Sequence, residues 1–202
     1  MKMVHRKRSF PGLFFLMLKL CIAVSAFAQT AGDTQAILVE VSQLMARRDY
    51  PAALALFDNI NQSSLQTAEI QLLKASVLNS AGRTAEARTI ANGIISRNAN
   101  NIDALLVLAA SAAIEGKDRE QRTFLERIVR IDPQNTKALS DLGYIALRVQ
   151  SMRIAAGHFD AALAVDPDHR ESMVGRAIVY RYAGDPRRAE QLLNRAIQQN
   201  PQ

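Results

Sequence analysis

Asp166, Asp168 and His169 lie within four residues, so two carboxylates and an imidazole could converge on a divalent cation. The residue between the acids, Pro167, favours a plainer reading. Asp-Pro-Asp is turn chemistry, because an Asp side chain bonds its own backbone two residues on and Pro presets φ. The other histidines are His5 and His158, and no two of the three have metal-ligand spacing on one helix face. There is no Gly-rich phosphate loop and no G-x-S-x-G nucleophile turn. Paired carboxylates such as Asp166 and Asp168 lack any acid–base constellation around them. The expectation is a non-catalytic chain with no metal and no cofactor.

The single cysteine, Cys21, sits in a segment of a different kind. Lys2, Arg6, Lys7 and Arg8 form a basic start, and Leu13–Leu18 begins an apolar stretch that Lys19 interrupts and Leu20–Val24 resumes. Ala26-Phe27-Ala28 fits the small-x-small cleavage pattern. Residues 1–28 therefore read as a secretory signal with Gln29 as the first mature residue, the alternative being an uncleaved N-terminal anchor. Either way the rest of the chain is expected across the membrane: in the periplasm, or facing it from an inner-membrane anchor. A lipoprotein signal is disfavoured, since Leu18-Lys19-Leu20 before Cys21 lacks small residues. Cleavage after Ala28 leaves no thiol to form a disulfide or bind a metal.

That segment also explains the net charge of +6. Its five basic residues, taken from 25, leave 20 against 19 acids, a balance of +1. The body carries no electrostatic footprint for nucleic acid. Hydrophobic residues make up 49%, aromatics 5%, and Trp is absent, so the core must be aliphatic.

The elements that position any surface come from a repeat. Asp132-Pro133, Asp166-Pro167 and Asn200-Pro201 recur 34 residues apart, and a fixed period of this length marks a helical array. With Pro third from the end, the units are 34–67, 68–101, 102–135, 136–169 and 170–202. Each reads as two helices; in 136–169 these are the faces Leu139, Leu142, Gly143, Ala146, Leu147 and Ala155, Phe159, Ala162, Leu163. Gly82, Gly116 and Gly184 fall between the helices, where a left-handed residue ends a helix. Ala75, Ala109, Gly143 and Ala177 recur within the first helices, and Ala87, Ala155 and Ala189 within the second, with Gln121 in that slot of the third unit. Phe57, Ala91, Leu125, Phe159 and Leu193 would fill the space between neighbouring units.

This pattern resembles the tetratricopeptide repeat, or TPR, in an exported bacterial protein, over nearly all of residues 34–202. Gly143, Ala155, Phe159, Ala162 and Pro167 match the signature, as do Ala177, Tyr180, Gly184, Ala189, Ala196 and Pro201. The second unit has Ala99 where Pro is usual, and the first lacks both the interhelix Gly and the Pro. The resemblance implies an all-α fold, a right-handed α-solenoid of five helix-turn-helix units, with first helices lining a concave face.

It also implies where a partner would lie. The outward positions of the first helices are Leu38, Ser42 and Met45; Leu72, Ser76 and Asn79; Leu106, Ala110 and Ala113. They continue as Ser140, Tyr144, Leu147 and Arg148, then Val174, Ile178, Arg181 and Tyr182. The Lys, Arg and Asn clamp of chaperone-binding members is largely replaced by Leu, Ser, Ala, Val and Ile. Such a groove suits an amphipathic or extended apolar segment of another protein, although several of the leucines could instead pack between first helices. The last unit is rich in arginine, with Arg170, Arg176, Arg181, Arg187, Arg188 and Arg195, which suits either a solvated surface or an acidic partner. Leu193 and Ile197 make the C-terminal end a candidate for homo-oligomer contact. The function expected is a protein-binding scaffold of the bacterial cell envelope, supporting assembly of a pilus, secretion or polymer-export machine. An inner-membrane tether and a polysaccharide-binding protein are the alternatives.

Overall fold

A computed structural model of the chain describes residues 35–60 and 62–198. The segment 1–28 read as a signal, and Pro201, lie outside the described residues. Among the described residues there is no strand, and no helix is long and apolar enough to cross a membrane. The described residues up to Thr67 form one compact body and those from Ala68 onward a second.

In the first body, helix α1 spans residues 35–46 and α2 is Tyr50–Leu56. Asp49 caps α2 by accepting from Ala52 N at 3.2 Å, and Pro51 sits in the first turn, where its missing N–H costs nothing. The second helix of this repeat is not continuous. It passes into a 3₁₀ turn, Phe57–Asn59, then extended backbone at Ile60, then the short α3, Gln62–Leu65. The stretch Asp58-Asn59-Ile60-Asn61 explains the break, since all four are indifferent helix formers with no capping Gly or Pro to define one end.

The second body is four regular helix pairs: α4 (Ala68–Ser80) and α5 (Thr84–Ile95), α6 (Ile102–Ile114) and α7 (Asp118–Ile131), α8 (Thr136–Arg148) and α9 (Met152–Val165), α10 (Arg170–Tyr182) and α11 (Pro186–Gln198). Gly82, Gly116 and Gly184 turn between helices with φ of 76°, 69° and 77°. The same left-handed conformation occurs at Arg48 (60°) and Gln150 (57°), so every repeat has it at the same place in the 34-residue period, with or without glycine.

The turns between repeats are equally regular. Asp132 and Asp166, each before a Pro, are extended, with φ near −132° and −127°, as the Pro ring demands. Their side chains accept from the backbone N–H two residues on, at 3.1 and 3.0 Å. Asn98 does the same to Asn100 N at 3.1 Å, although Ala99 stands where Pro is expected. Three residues after each of these, Asn101, Asn135 and His169 cap the next helix by accepting from Ala104 N, Ala138 N and Ser172 N.

Packing follows the small residues. Ala75, Ala87, Ala109, Ala155, Ala162, Ala177 and Ala189 are all buried, as are Phe57, Ala91, Leu125 and Phe159, while Leu193 is half-buried. Gln121, in the slot held elsewhere by Ala, is buried too, and its Oε1 accepts from Arg148 Nη2 at 3.0 Å. One cluster joins α6, α7 and α8 through Leu105, Leu125, Ile128, Leu142 and Ile145. The next turns on Phe159, whose ring leaves no room for a side chain on either neighbouring first helix. A Cβ on Gly143 would lie 2.5 Å from Phe159 Cε1, and one on Gly175 would be closer still.

Two stability outcomes are expected. Gly116 has open space around its Cα, so Gly116→Ala meets only the φ penalty and should cost about 1 kcal/mol in chemical denaturation, whereas Gln150→Gly should be neutral or stabilising. Gly175→Ala, by contrast, is a packing clash and should cost about 1–3 kcal/mol. Adding Phe159→Leu should recover part of that loss, so the double variant should be less destabilised than the two single losses summed.

Candidate functional site

The first helices α4 and α6, with the first turns of α8, enclose an open groove of about 600 Å³. Of the positions expected from sequence, Leu72, Ser76, Asn79, Leu106 and Ala110 line it. Its floor is apolar. Leu106 is half-buried, Ala110 is exposed, and Val107 and Leu73 add to the lining. The Ser76 hydroxyl donates to Leu72 O at 3.0 Å, so its proton is used within the helix.

Some expected contact residues are spent inside the fold. Asn79 is 5% exposed. Its Nδ2 donates to Val107 O at 3.0 Å and its Oδ1 accepts from Ser111 Oγ at 2.8 Å, tying α4 to α6. Leu72 is only 7% exposed. Ser140 is buried with no hydrogen-bond partner among the described residues, so it presents nothing to a ligand.

Tyr144 and Leu147 pack on the Phe159 cluster. The Tyr144 ring meets Phe159 edge-on at 5.2 Å, its OH donates to Glu171 O at 2.8 Å, and burial pushes its phenol above the ordinary range. Arg148 pairs with Asp118 at 2.8 Å. Periodicity identifies one face of a helix, but it does not separate the strip that packs on the next first helix from the strip beside it that faces out.

On α10, Ile178, Arg181 and Tyr182 line a separate, smaller hollow of about 390 Å³, and Val174 is half-buried. Leu38, Ser42 and Met45 lie on α1 of the first body, Leu38 and Met45 half-buried and Ser42 exposed with its hydroxyl donating to Leu38 O.

The residues that suggested chemistry have structural work. Asp166 shapes its turn, Asp168 pairs with Arg195 at 2.5 Å, and His169 caps α10 while its Nδ1 lies 2.8 Å from Ser172 Oγ. Burial is the main cause that holds the His158 imidazole below its ordinary range; Arg122 adds to the effect and Glu126 opposes it. The arginines of the last repeat are partly neutralised: Arg176 pairs with Asp160, Arg188 with Asp185 and Arg195 with Asp168. Arg176 and Arg188 also lie 4.1 and 5.7 Å from the Tyr180 ring centre.

Sequence reasoning passed over two kinds of residue. Gly175 carries the closest packing of the fold's last repeats, and Ser111 completes the polar tie between α4 and α6. A signal for the second existed in the pairing of Asn79 and Ser111, nearly one repeat apart on consecutive first helices. The tie predicts that Asn79→Ala should cost about 1 kcal/mol, because the bond to the buried Val107 carbonyl is lost while the Ser111 hydroxyl remains 3.0 Å from that oxygen. Adding Ser111→Ala should cost less than its effect alone, a coupling that a denaturation cycle measures.

A family model described as the tetratricopeptide repeat matches residues 38–102 and 140–202. No curated protein sequence matches the chain. Among solved structures, TTC0263, a thermophilic TPR protein of Thermus thermophilus, is similar with a TM-score of 0.70 at 21% identity, covering 83% of this chain and 92% of its own. MamA (residues 41 to the end) from Desulfovibrio magneticus RS-1 gives 0.59 at 14% identity, over 81% and 93%. YrrB, described as a TPR protein with an unusual peptide-binding site, gives 0.53 at 19% identity, over 80% and 83%. At these identities the structures speak to the fold alone. The two matched segments cover more than half of the sequence, and the helix pairs, left-handed turns and buried alanines recur at the same 34-residue spacing. This chain belongs to the tetratricopeptide repeat family.

Proposed function

We propose that the protein is a non-catalytic adaptor that holds a segment of another protein in the groove between α4, α6 and α8. The observation that carries this reading is the groove itself, open and apolar along Leu73, Leu106 and Ala110. Its size falls within the range of about 300–1,000 Å³ that binding clefts occupy. A segment laid there meets a surface already formed, so little ordering of the protein opposes binding. The similar fold of YrrB, described as having a peptide-binding site, is consistent with this use.

The setting we propose is the bacterial cell envelope, on the strength of the basic and apolar N-terminal segment ending at Ala28. There the adaptor would hold a component of a pilus, secretion or polymer-export machine during assembly. A second reading, a tether that keeps its N-terminus in the inner membrane, is favoured by Lys19, which interrupts the apolar stretch and weakens it as a cleaved signal. A mature protein whose mass starts at Gln29 supports the adaptor, and one retaining residues 1–28 supports the tether. Polysaccharide binding loses ground, because half of the arginines proposed for it have acidic partners.

Leu106→Glu and Ala110→Arg place charge in the floor at half-buried and exposed positions, where the fold can bear it; Leu72 is too buried for that test. Crosslinked capture of partners from the native envelope should fall at least about tenfold for either variant, while the helical circular dichroism and melting midpoint stay near wild type. Undiminished capture by both folded variants overturns the proposal.

A further inference from the structure

The groove has two unlike edges. Glu69 and Asp103 are the second residues of α4 and α6, 34 apart in sequence, and both line its N-terminal rim. Both are exposed, and neither makes an ion pair among the described residues. Asp141 and Lys137 extend that rim on α8, bound to each other at 2.6 Å. Three carboxylates and one ammonium leave the groove a net charge of −2. The opposite edge holds Ser80 and Ile114, the latter 53% exposed.

Acids in a first turn also complement the helix dipole, which would be reason enough to find them there. The same position holds an acid in α10 as well, Glu171, and a lysine only in α8, so the dipole accounts for the residue type; what sets Glu69 and Asp103 apart is that both line the open groove. That lysine is itself bound to a groove carboxylate, so it does not cancel Glu69 or Asp103.

We infer that the segment held in this groove is a basic amphipathic one, with apolar side chains on Leu73, Leu106 and Ala110 and Lys or Arg along one flank facing Glu69 and Asp103. The inference rests on the groove being the binding site. It gives the ligand an orientation, since exchanging the two flanks would take the basic side chains away from Glu69 and Asp103 and set them beside Ile114. It also excludes acidic peptides and anionic polymers, which the rim repels.

The test uses two synthetic twelve-residue helical peptides with the same Leu and Ala face, one bearing Lys on the other face and the other Glu. Titrated onto the purified protein by calorimetry at low salt, the lysine peptide should bind about tenfold more tightly, and its advantage should shrink as salt rises toward about 0.5 M. Glu69→Gln with Asp103→Asn should erase the difference, and Glu69→Lys with Asp103→Lys should reverse it, with unchanged helical circular dichroism. Leu106→Gln, which removes apolar floor without adding charge, should weaken both peptides. Equal affinity for the twins, with both weakened by Leu106→Gln, overturns the basic-partner inference and leaves the groove as the site. Binding that Leu106→Gln does not touch, or no binding of either peptide, overturns the groove reading as well.

Discussion

Close contact between first helices is the constraint on which the second body depends, and the chain meets it in two different ways. Toward the C-terminus the device is steric. The Phe159 ring occupies the space that side chains on Gly143 and Gly175 would need, so one residue of α9 sets the spacing of both α8 and α10. Tyr144 closes the same joint from α8, edge-on to Phe159 and hydrogen-bonded to the backbone of α10. Toward the N-terminus the equivalent filler is only Ala91, too small to act as a wedge. There Asn79 and Ser111 join α4 to α6 through a buried hydrogen-bonded pair. A buried amide must be fully satisfied to be worth its desolvation, and this one is directional, so it fixes register as well as distance.

The difference between the joints has a functional consequence. A bulky wedge between first helices draws neighbouring side chains inward, and Tyr144 and Leu147 are both engaged with Phe159. The polar joint engages Asn79, Ser111 and the Val107 carbonyl, and leaves Ser76, Leu106 and Ala110 on the open side. The groove therefore lies where the repeat departs from its aromatic signature. In an array whose units touch only their neighbours, such local substitutions can carve a site without disturbing repeats further along.

Much of this fold was legible in the sequence, because its turns repeat local chemistry. The Asp-Pro pairs, the glycines and the alanines each report a backbone or packing requirement that recurs every 34 residues. What was not legible is instructive. The requirement for a left-handed residue persists at Arg48 and Gln150, which give no compositional sign of it. The turn between repeats rests on the carboxylate or amide at positions 98, 132 and 166 more than on Pro, since Asn98 makes the same bond beside Ala99. Gly175 was invisible because a lone glycine inside a helix normally reads as a weakness, and its reason lies 16 residues away in Phe159. For the candidate site, sequence grouped Leu106, Ala110 and Ser76, which line the groove, with Asn79 and Ser140, which are buried, because one helical period covers both.

The charges complete the physical account of the surface. Arginine dominates the basic residues of the body, and several of its planar forks join elements. Arg88 reaches from α5 to Glu120 on α7, Arg127 donates to Ala99 O at 2.5 Å in the preceding turn, Arg148 binds Asp118 and Gln121, and Arg195 binds Asp168. Each of these ties consumes an acid or a carbonyl from a neighbouring element. The carboxylates left without such a tie include Glu69 and Asp103, at the start of successive first helices. Arg88, Arg148 and Arg195 are thus engaged at joints between helices, while Glu69 and Asp103 are left along the edge of the open groove.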